Sequence, residues 1–243
     1  MANRPSDVPP DRRAALDAGV AESGTLAEAL AVDFAALLDT LPGIDARAVD
    51  RMRAAAGEGV VARMKRGGAV LAEAGVSMAG HPSDTVRGWA AFAAMADPTL
   101  GLAARRDAIR PFADDRNPGV REWAWMAIRP ALAAEIRAAF AALLPWTEEA
   151  SANLRRFASE ATRPRGVWCA HITALRRDPS PARPLLDALR ADPARYVQLS
   201  VGNWLNDAAK DNPAWVRAIA DAWGRNDPAT TRILTRGLRS LPR

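Results

Sequence analysis

Apolar residues recur at helical spacing along almost the whole chain, as in Leu26, Leu30, Phe34, Leu37 and Leu38, or Leu132, Ile136, Phe140 and Leu144. No run alternates polar and apolar as a half-buried strand would. The breaks are short and carry helix punctuation: Pro42-Gly43, Asp97-Pro98, Asn117-Pro118-Gly119, Asp178-Pro179, Asp192-Pro193, Asn212-Pro213 and Asp227-Pro228. Asp or Asn ahead of Pro supplies an N-cap followed by a residue suited to the first helical turn. The pattern predicts about a dozen antiparallel helices joined by short turns. It also predicts a Pro-rich disordered tail at residues 1–11 and a single domain over 12–243.

A repeat decides the architecture. Val86-Arg87-Gly88-Trp89-Ala90 aligns with Val120-Arg121-Glu122-Trp123-Ala124 at a spacing of 34 residues, and Leu154-Arg155-Arg156-Phe157-Ala158 follows after another 34. A fourth copy, Val197-Gln198-Leu199-Ser200-Val201, comes 43 residues later, with Gln198 in place of the repeat's basic residue. Helix-pair repeats of this length bury their apolar faces against their neighbours. The expected fold is all-α: a HEAT-like repeat solenoid, a curved right-handed superhelix of antiparallel helix pairs.

Composition narrows the partners. Apolar residues make up 49% of 243 and charged residues 25%, so a sizeable core is available. The net charge of +5 and pI near 10.4 favour a polyanion. Only Lys65 and Lys210 of the 33 basic residues are lysine, a skew that fits either phosphate binding or GC-rich coding. One cysteine and two histidines exclude an intrachain disulfide and a zinc cluster. Cys169 follows Trp168 on a predicted helix and reads as a small buried residue. Trp123, Trp125, Trp215 and Trp223 read as packing residues. Gly57-Glu58-Gly59 opens a formal dinucleotide fingerprint, but without a preceding strand it reads as a helix junction. No signal-peptide segment and no run of about 18 apolar residues occur, which predicts a cytoplasmic protein with no membrane partner.

Two segments hold more chemistry than packing needs. Ser159 to Trp168 (SEATRPRGVW) and Tyr196 to Val216 (YVQLSVGNWLNDAAKDNPAWV) crowd carboxylates, arginines and tryptophans onto helical surface. Counted from each repeat's first residue, Glu122 stands at offset 2, Glu160 at offset 6 and Asp207 at offset 10. Steps of four keep one helix face, so side-by-side repeats would align the three acids in a diagonal row. Such a row needs balancing cations, either Arg121, Arg163 and Arg165 or a cationic ligand. The same residues read equally well as Glu-Arg and Asp-Arg pairs that set repeat packing.

The two segments resemble the signature segments of bacterial DNA alkylation repair proteins, the HEAT-like repeat glycosylases of the AlkC/AlkD superfamily, and are nearer the AlkC branch. His81 to Phe92 and Val120 to Pro130 resemble earlier repeats of that family. The resemblance implies removal of positively charged N-alkylated bases from double-stranded DNA by hydrolysis of the N-glycosidic bond, with no metal or cofactor. 3-Methyladenine, 7-methylguanine, 1-methyladenine and 3-methylcytosine are the candidate bases. It implies that Glu122, Glu160, Asp207 and Trp168 line the lesion site, with Asp207 handling the attacking water. Trp204 is a second candidate for contact with the base, although its place in an apolar helix also fits the core. Arg163, Arg165 and Lys210 are candidates for DNA phosphates, and Arg163 and Arg165 are equally suited to pairing with the acids. The departures from the family pattern, Ala161-Thr162 and Gly166-Val167, spare the acids and Trp168. With the sequence ending at Arg243, the additional immunoglobulin-like domain of some relatives is not expected, and a monomer is. The alternative function is a non-catalytic HEAT-repeat scaffold that binds DNA or protein.

Overall fold

A computed structural model of the protein describes residues 4–242. Among them are fifteen α-helices and no strand, as the helical spacing predicts. The first six are α1 (Pro10–Asp17), α2 (Leu26–Ala31), α3 (Phe34–Asp39), α4 (Ala46–Ala54), α5 (Val60–Ala74) and α6 (Asp84–Ala94). There follow α7 (Leu102–Ala113), α8 (Pro118–Ala134), α9 (Ile136–Leu143), α10 (Ala152–Glu160) and α11 (Thr173–Arg177). The last four are α12 (Arg183–Leu189), α13 (Arg195–Ala209), α14 (Pro213–Trp223) and α15 (Pro228–Gly237). The helices group into two compact units: residues up to Leu100 with Asp107–Ala127, and Gly101–Arg106 with Ile128 onward. No helix among the described residues is long and apolar enough to cross a membrane.

Local chemistry places the boundaries. Thr25, Asp33, Asp45, Ser83, Ser151 and Asp227 each accept a backbone N–H of the helix they precede, a cap worth about 1 kcal/mol each. Asp33 divides the apolar run from Leu26 to Leu38 into α2 and α3. Gly59 is the N-cap of α5, so Gly57-Glu58-Gly59 is indeed a helix junction.

The repeat is visible at the starts of α6, α8, α10 and α13. Each begins two residues before the repeat's Val or Leu, and Val86, Val120, Leu154 and Val197 are all buried. The next residue folds back over the turn it has just left. Arg87 donates to the carbonyls of His81 and Pro82, Arg121 to those of Asp115 and Arg116, and Arg155 to those of Glu149 and Ala150. Arg87 and Arg155 then reach the next repeat, where Asp115 and Asp192 accept from them on both oxygens. Gln198 keeps the inward half of this pattern, donating to the Asp192 carbonyl at 2.8 Å, and its own Oε1 accepts from Arg232. A planar fork can serve several acceptors at once, which is why arginine suits this joint.

The amino-terminal residues differ from expectation. Residues 4–11 were predicted to be a disordered tail, yet Pro5–Asp7 forms a 3-10 turn and α1 starts at Pro10. Val8 is buried, and Arg12 pairs with Glu28 to tie α1 to α2. Proline-rich composition reads as disorder only when nothing apolar anchors it. Residues 1–3 of the predicted tail lie outside the described residues.

In the second unit α13 is central, packed against both α10 and α15. Its contact with α15 is close: a Cβ on Gly202 would lie 2.9 Å from Cβ of Arg236, and one on Gly237 2.8 Å from Cβ of Leu205. Glycines facing each other across this seam let the polar side chains at its edge meet.

Candidate active site

Glu160 closes α10, and Asp207 sits near the end of α13. Their side chains are each 6% exposed, and Arg163 joins them. Its Nη1 donates to Oε1 of Glu160 at 2.7 Å, and its Nε to Oδ2 of Asp207 at 2.9 Å. The other oxygen of Glu160 accepts from Ser200 Oγ at 2.6 Å, and Ser200 accepts in turn from Ser159. Arg156 approaches the same oxygen at 3.5 Å while its guanidinium lies 4.5 Å from the Tyr196 ring centroid. Lys210 Nζ stands 3.7 Å from Oδ1 of Asp207.

These contacts decide the charge state. Burial would raise the Glu160 carboxyl, but Arg156 and Arg163, with the Ser200 hydrogen bond, outweigh it and hold its pKa below the ordinary range. Burial acts on Arg163 as well, and its two carboxylates more than restore its cation. The cluster is therefore two carboxyl groups sharing one guanidinium, which with Arg156 favours the ionised form of Glu160.

Residues 161–172 form a loop between α10 and α11. This corrects the expectation that Trp168 and Cys169 lie on a helix. Pro164 and Gly166 interrupt the helical turn, and Arg129 of α8, itself buried, replaces the missing backbone partners. Its guanidinium donates to the carbonyls of Ala161 at 2.9 Å, Arg163 at 2.6 Å and Ala170 at 3.3 Å. Burial, with Arg163 adding its like charge, lowers the Arg129 pKa from its usual value. Gly166 faces inward so closely that a Cβ there would fall 2.1 Å from Sγ of Cys169.

The loop carries Trp168, which is 48% exposed. Its φ of 60° makes it the one non-glycine residue in the left-handed region among those described, a conformation costing about 1–2 kcal/mol. A large apolar ring is thus held in solvent by a strained backbone. A second clasp lies beyond it: Arg165 and Arg176 both make two-oxygen contacts with Asp211, which holds that carboxyl down to about 2.

The other expected site residues are distributed differently. Trp204 is fully buried and its indole N–H donates to the Thr162 carbonyl at 3.1 Å, so it is a core residue and not a surface for a base. Glu122 belongs to the first unit, where its Oε2 accepts from the Trp125 indole at 2.8 Å. Arg163, Arg165 and Lys210 all face carboxylates. Sequence reasoning missed Arg129, Ser200 and Arg156. Ser200 alone had a signal, since it lies on the α13 face that carries Asp207, seven residues or about two turns away. Among the described residues no three His, Cys, Asp or Glu side chains are grouped to hold a metal ion.

Against solved structures, the chain matches the Pseudomonas fluorescens alkylpurine DNA glycosylase AlkC, bound to DNA containing an abasic site analog. The match covers 99% of this chain and 65% of that one, with a TM-score of 0.70 and 24% identity. This chain has the AlkC fold. Streptococcus mutans AlkD2 and the S. mutans protein smu.31 match at a TM-score of 0.57 and 19% identity. Each covers 81% of this chain, with 90% of AlkD2 and 92% of smu.31 matched. In sequence, 115 residues are 38% identical to the uncharacterized Bacillus subtilis protein YhaZ, covering 47% of this chain and 32% of YhaZ. No family model matches. The chain spans just under two thirds of AlkC and a third of YhaZ.

Proposed function

We propose that this protein is a DNA glycosylase that hydrolyses the N-glycosidic bond of positively charged N-alkylated bases in duplex DNA. The observation that carries this reading is the Glu160–Arg163–Asp207 cluster at the root of the loop that holds Trp168 in solvent. The AlkC-like fold supports it.

An alkylated base already bears positive charge, so it leaves without prior protonation. The barrier is the cationic character that develops on the sugar. Buried carboxylates stabilise that charge more strongly than solvated ones would. Asp207 spends Oδ2 on Arg163, while Oδ1 keeps lone pairs to orient a water or take its proton. Glu160 adds negative charge and fixes Arg163. Trp168 offers its face to the cationic base, an attraction of about 0.5–2 kcal/mol that a neutral base largely lacks. No cofactor is required.

The full salt-bridging of Asp207 and Glu160 favours one rival, a DNA-binding or protein-binding scaffold in which the cluster only locks α10 to α13. Chromatography of bases released from methylated duplex DNA separates the two. Wild type should release methylated purines or pyrimidines, and Asp207→Asn should be slower by about 10²–10⁴-fold. Equal rates for the two proteins, or no release by wild type, would leave the scaffold.

A further inference from the structure

Arg232 and Arg236 on α15, and Arg239 in the turn that follows it, are held by neutral side-chain oxygens. Arg232, Arg236 and Arg239 donate through Nε to neutral amide oxygens on α13: Gln198 at 2.9 Å, Asn203 at 2.7 Å and Asn206 at 3.0 Å. Among the described residues none of the three has a carboxylate within ion-pair distance. Several other arginine forks are met by acids, as in Arg87 with Asp115, Arg155 with Asp192 and Arg165 with Asp211. An amide oxygen orients a guanidinium without cancelling its charge, which leaves the outer N–H groups aimed and available.

The spacing of four residues keeps Arg232 and Arg236 on one face of α15, and Arg239 follows in the turn beyond Gly237. Four residues rise about 6 Å along α15, close to two phosphate steps of one DNA strand. Burial, and then the like charges of Arg239, Arg195 and Arg163, lower the pKa of Arg236. Arg236 therefore sits within the electrostatic reach of the candidate site's own Arg163, in a place that gains from an arriving anion. Beyond Arg239 the stripe continues into a cleft that Arg217 and Arg225 also line.

We infer that Arg232, Arg236 and Arg239 form a track for consecutive phosphates of duplex DNA beside the candidate site. This rests on the reading of DNA as partner given above. It moves the backbone contacts from Arg163, Arg165 and Lys210, which are ion-paired with carboxylates, to three arginines that are not, although Asp227 lies within electrostatic reach of Arg232.

The test is binding of a fluorescent undamaged duplex by the full chain over a series of salt concentrations. Arg232→Gln with Arg239→Gln is the informative pair, because the stem of Arg236 packs on Gly202 and is better left in place. The pair should bind about tenfold more weakly and lower the slope of log K against log salt by about two. Arg51→Gln with Arg137→Gln removes the same charge from exposed arginines that face Glu73 and Asp178, and should change the slope little. An unchanged slope in the first pair, or an equal fall in the second, overturns the track. Wild type that fails to bind duplex overturns the track and the glycosylase together. Wild type that binds with the expected slopes but releases no base keeps the track and removes only the chemistry.

Discussion

The Nε–H of Arg163 donates to Oδ2 of Asp207 at 2.9 Å, a bond that joins the loop after α10 to α13. Because the same guanidinium also holds Glu160 at 2.7 Å, its removal leaves two buried carboxylates facing each other. Uncompensated buried charge is costly, so Arg163→Gln should destabilise the fold by about 3–5 kcal/mol. Adding Glu160→Gln to that variant should restore part of the loss, since one of the repelling charges is gone. Urea unfolding midpoints of the single and double variants check both statements. Additive losses would mean that the two residues do not act on each other.

Asp211 extends the same logic to acid pH. Its ordinary value is 3.8, and the hydrogen bond from Arg176, with that from Arg165, brings it to about 2 in the folded protein. A depressed carboxyl contributes stability above its unfolded pKa and loses it as pH falls through the folded one. The contribution is therefore complete above about pH 4 and disappears between about 4 and 2. Partial exposure of both arginines limits it to the order of 1 kcal/mol. Asp211→Asn should flatten the acid side of the melting-temperature profile in that window while leaving its shape between pH 6 and 8 alone. A profile parallel to wild type from pH 2 to 5 would show that the clasp carries no folding energy.

Much of this architecture was legible in the sequence, and the reason is periodicity. The recurrence of Val86, Val120, Leu154 and Val197 marked four equivalent helix starts, because burial of one face imposes a regular spacing. The offset argument placed Glu160 and Asp207 together for the same reason, and Arg163 lies between them as the balancing cation. Arg129 was not legible. Its carbonyl partners lie 32, 34 and 41 residues away, and a backbone oxygen leaves no mark in a sequence. Trp204 was left between two readings because tryptophan suits both a core and a base-binding face, and its full burial with the Thr162 carbonyl gives the core. The row of Arg232, Arg236 and Arg239 was hidden for the opposite reason: Gln198, Asn203 and Asn206 read as ordinary polar residues of α13 until their geometry is seen.

Arg129 should control the order of the loop more than the stability of the helices. Arg129→Met keeps the length of the stem but abandons the carbonyls of Ala161, Arg163 and Ala170. Hydrogen bonds involving a charged group contribute about 1.5–3 kcal/mol each, net of those exchanged with water. Amide hydrogen exchange in residues 161–172 should accelerate by at least about tenfold, with α13 and α15 changed far less. Uniform acceleration across the second unit would assign Arg129 to global folding instead.

Trp168 offers the sharpest separation of stability from activity. Its backbone φ of 60° is unfavourable for any side chain and neutral for glycine. Its ring is half exposed and so contributes little burial energy of its own. Trp168→Ala keeps the strain and loses the ring, whereas Trp168→Gly loses both. The glycine variant should therefore be more stable than the alanine variant by about 1 kcal/mol, and at least as stable as wild type. Both should release cationic bases more slowly, by about 2- to 30-fold if the ring supplies about 0.5–2 kcal/mol of cation–π attraction in the transition state. A stable glycine variant with poor base release would mean that the strain is retained for the ring's position over the substrate. A glycine variant with full activity would remove Trp168 from the site while leaving the case for Asp207 intact.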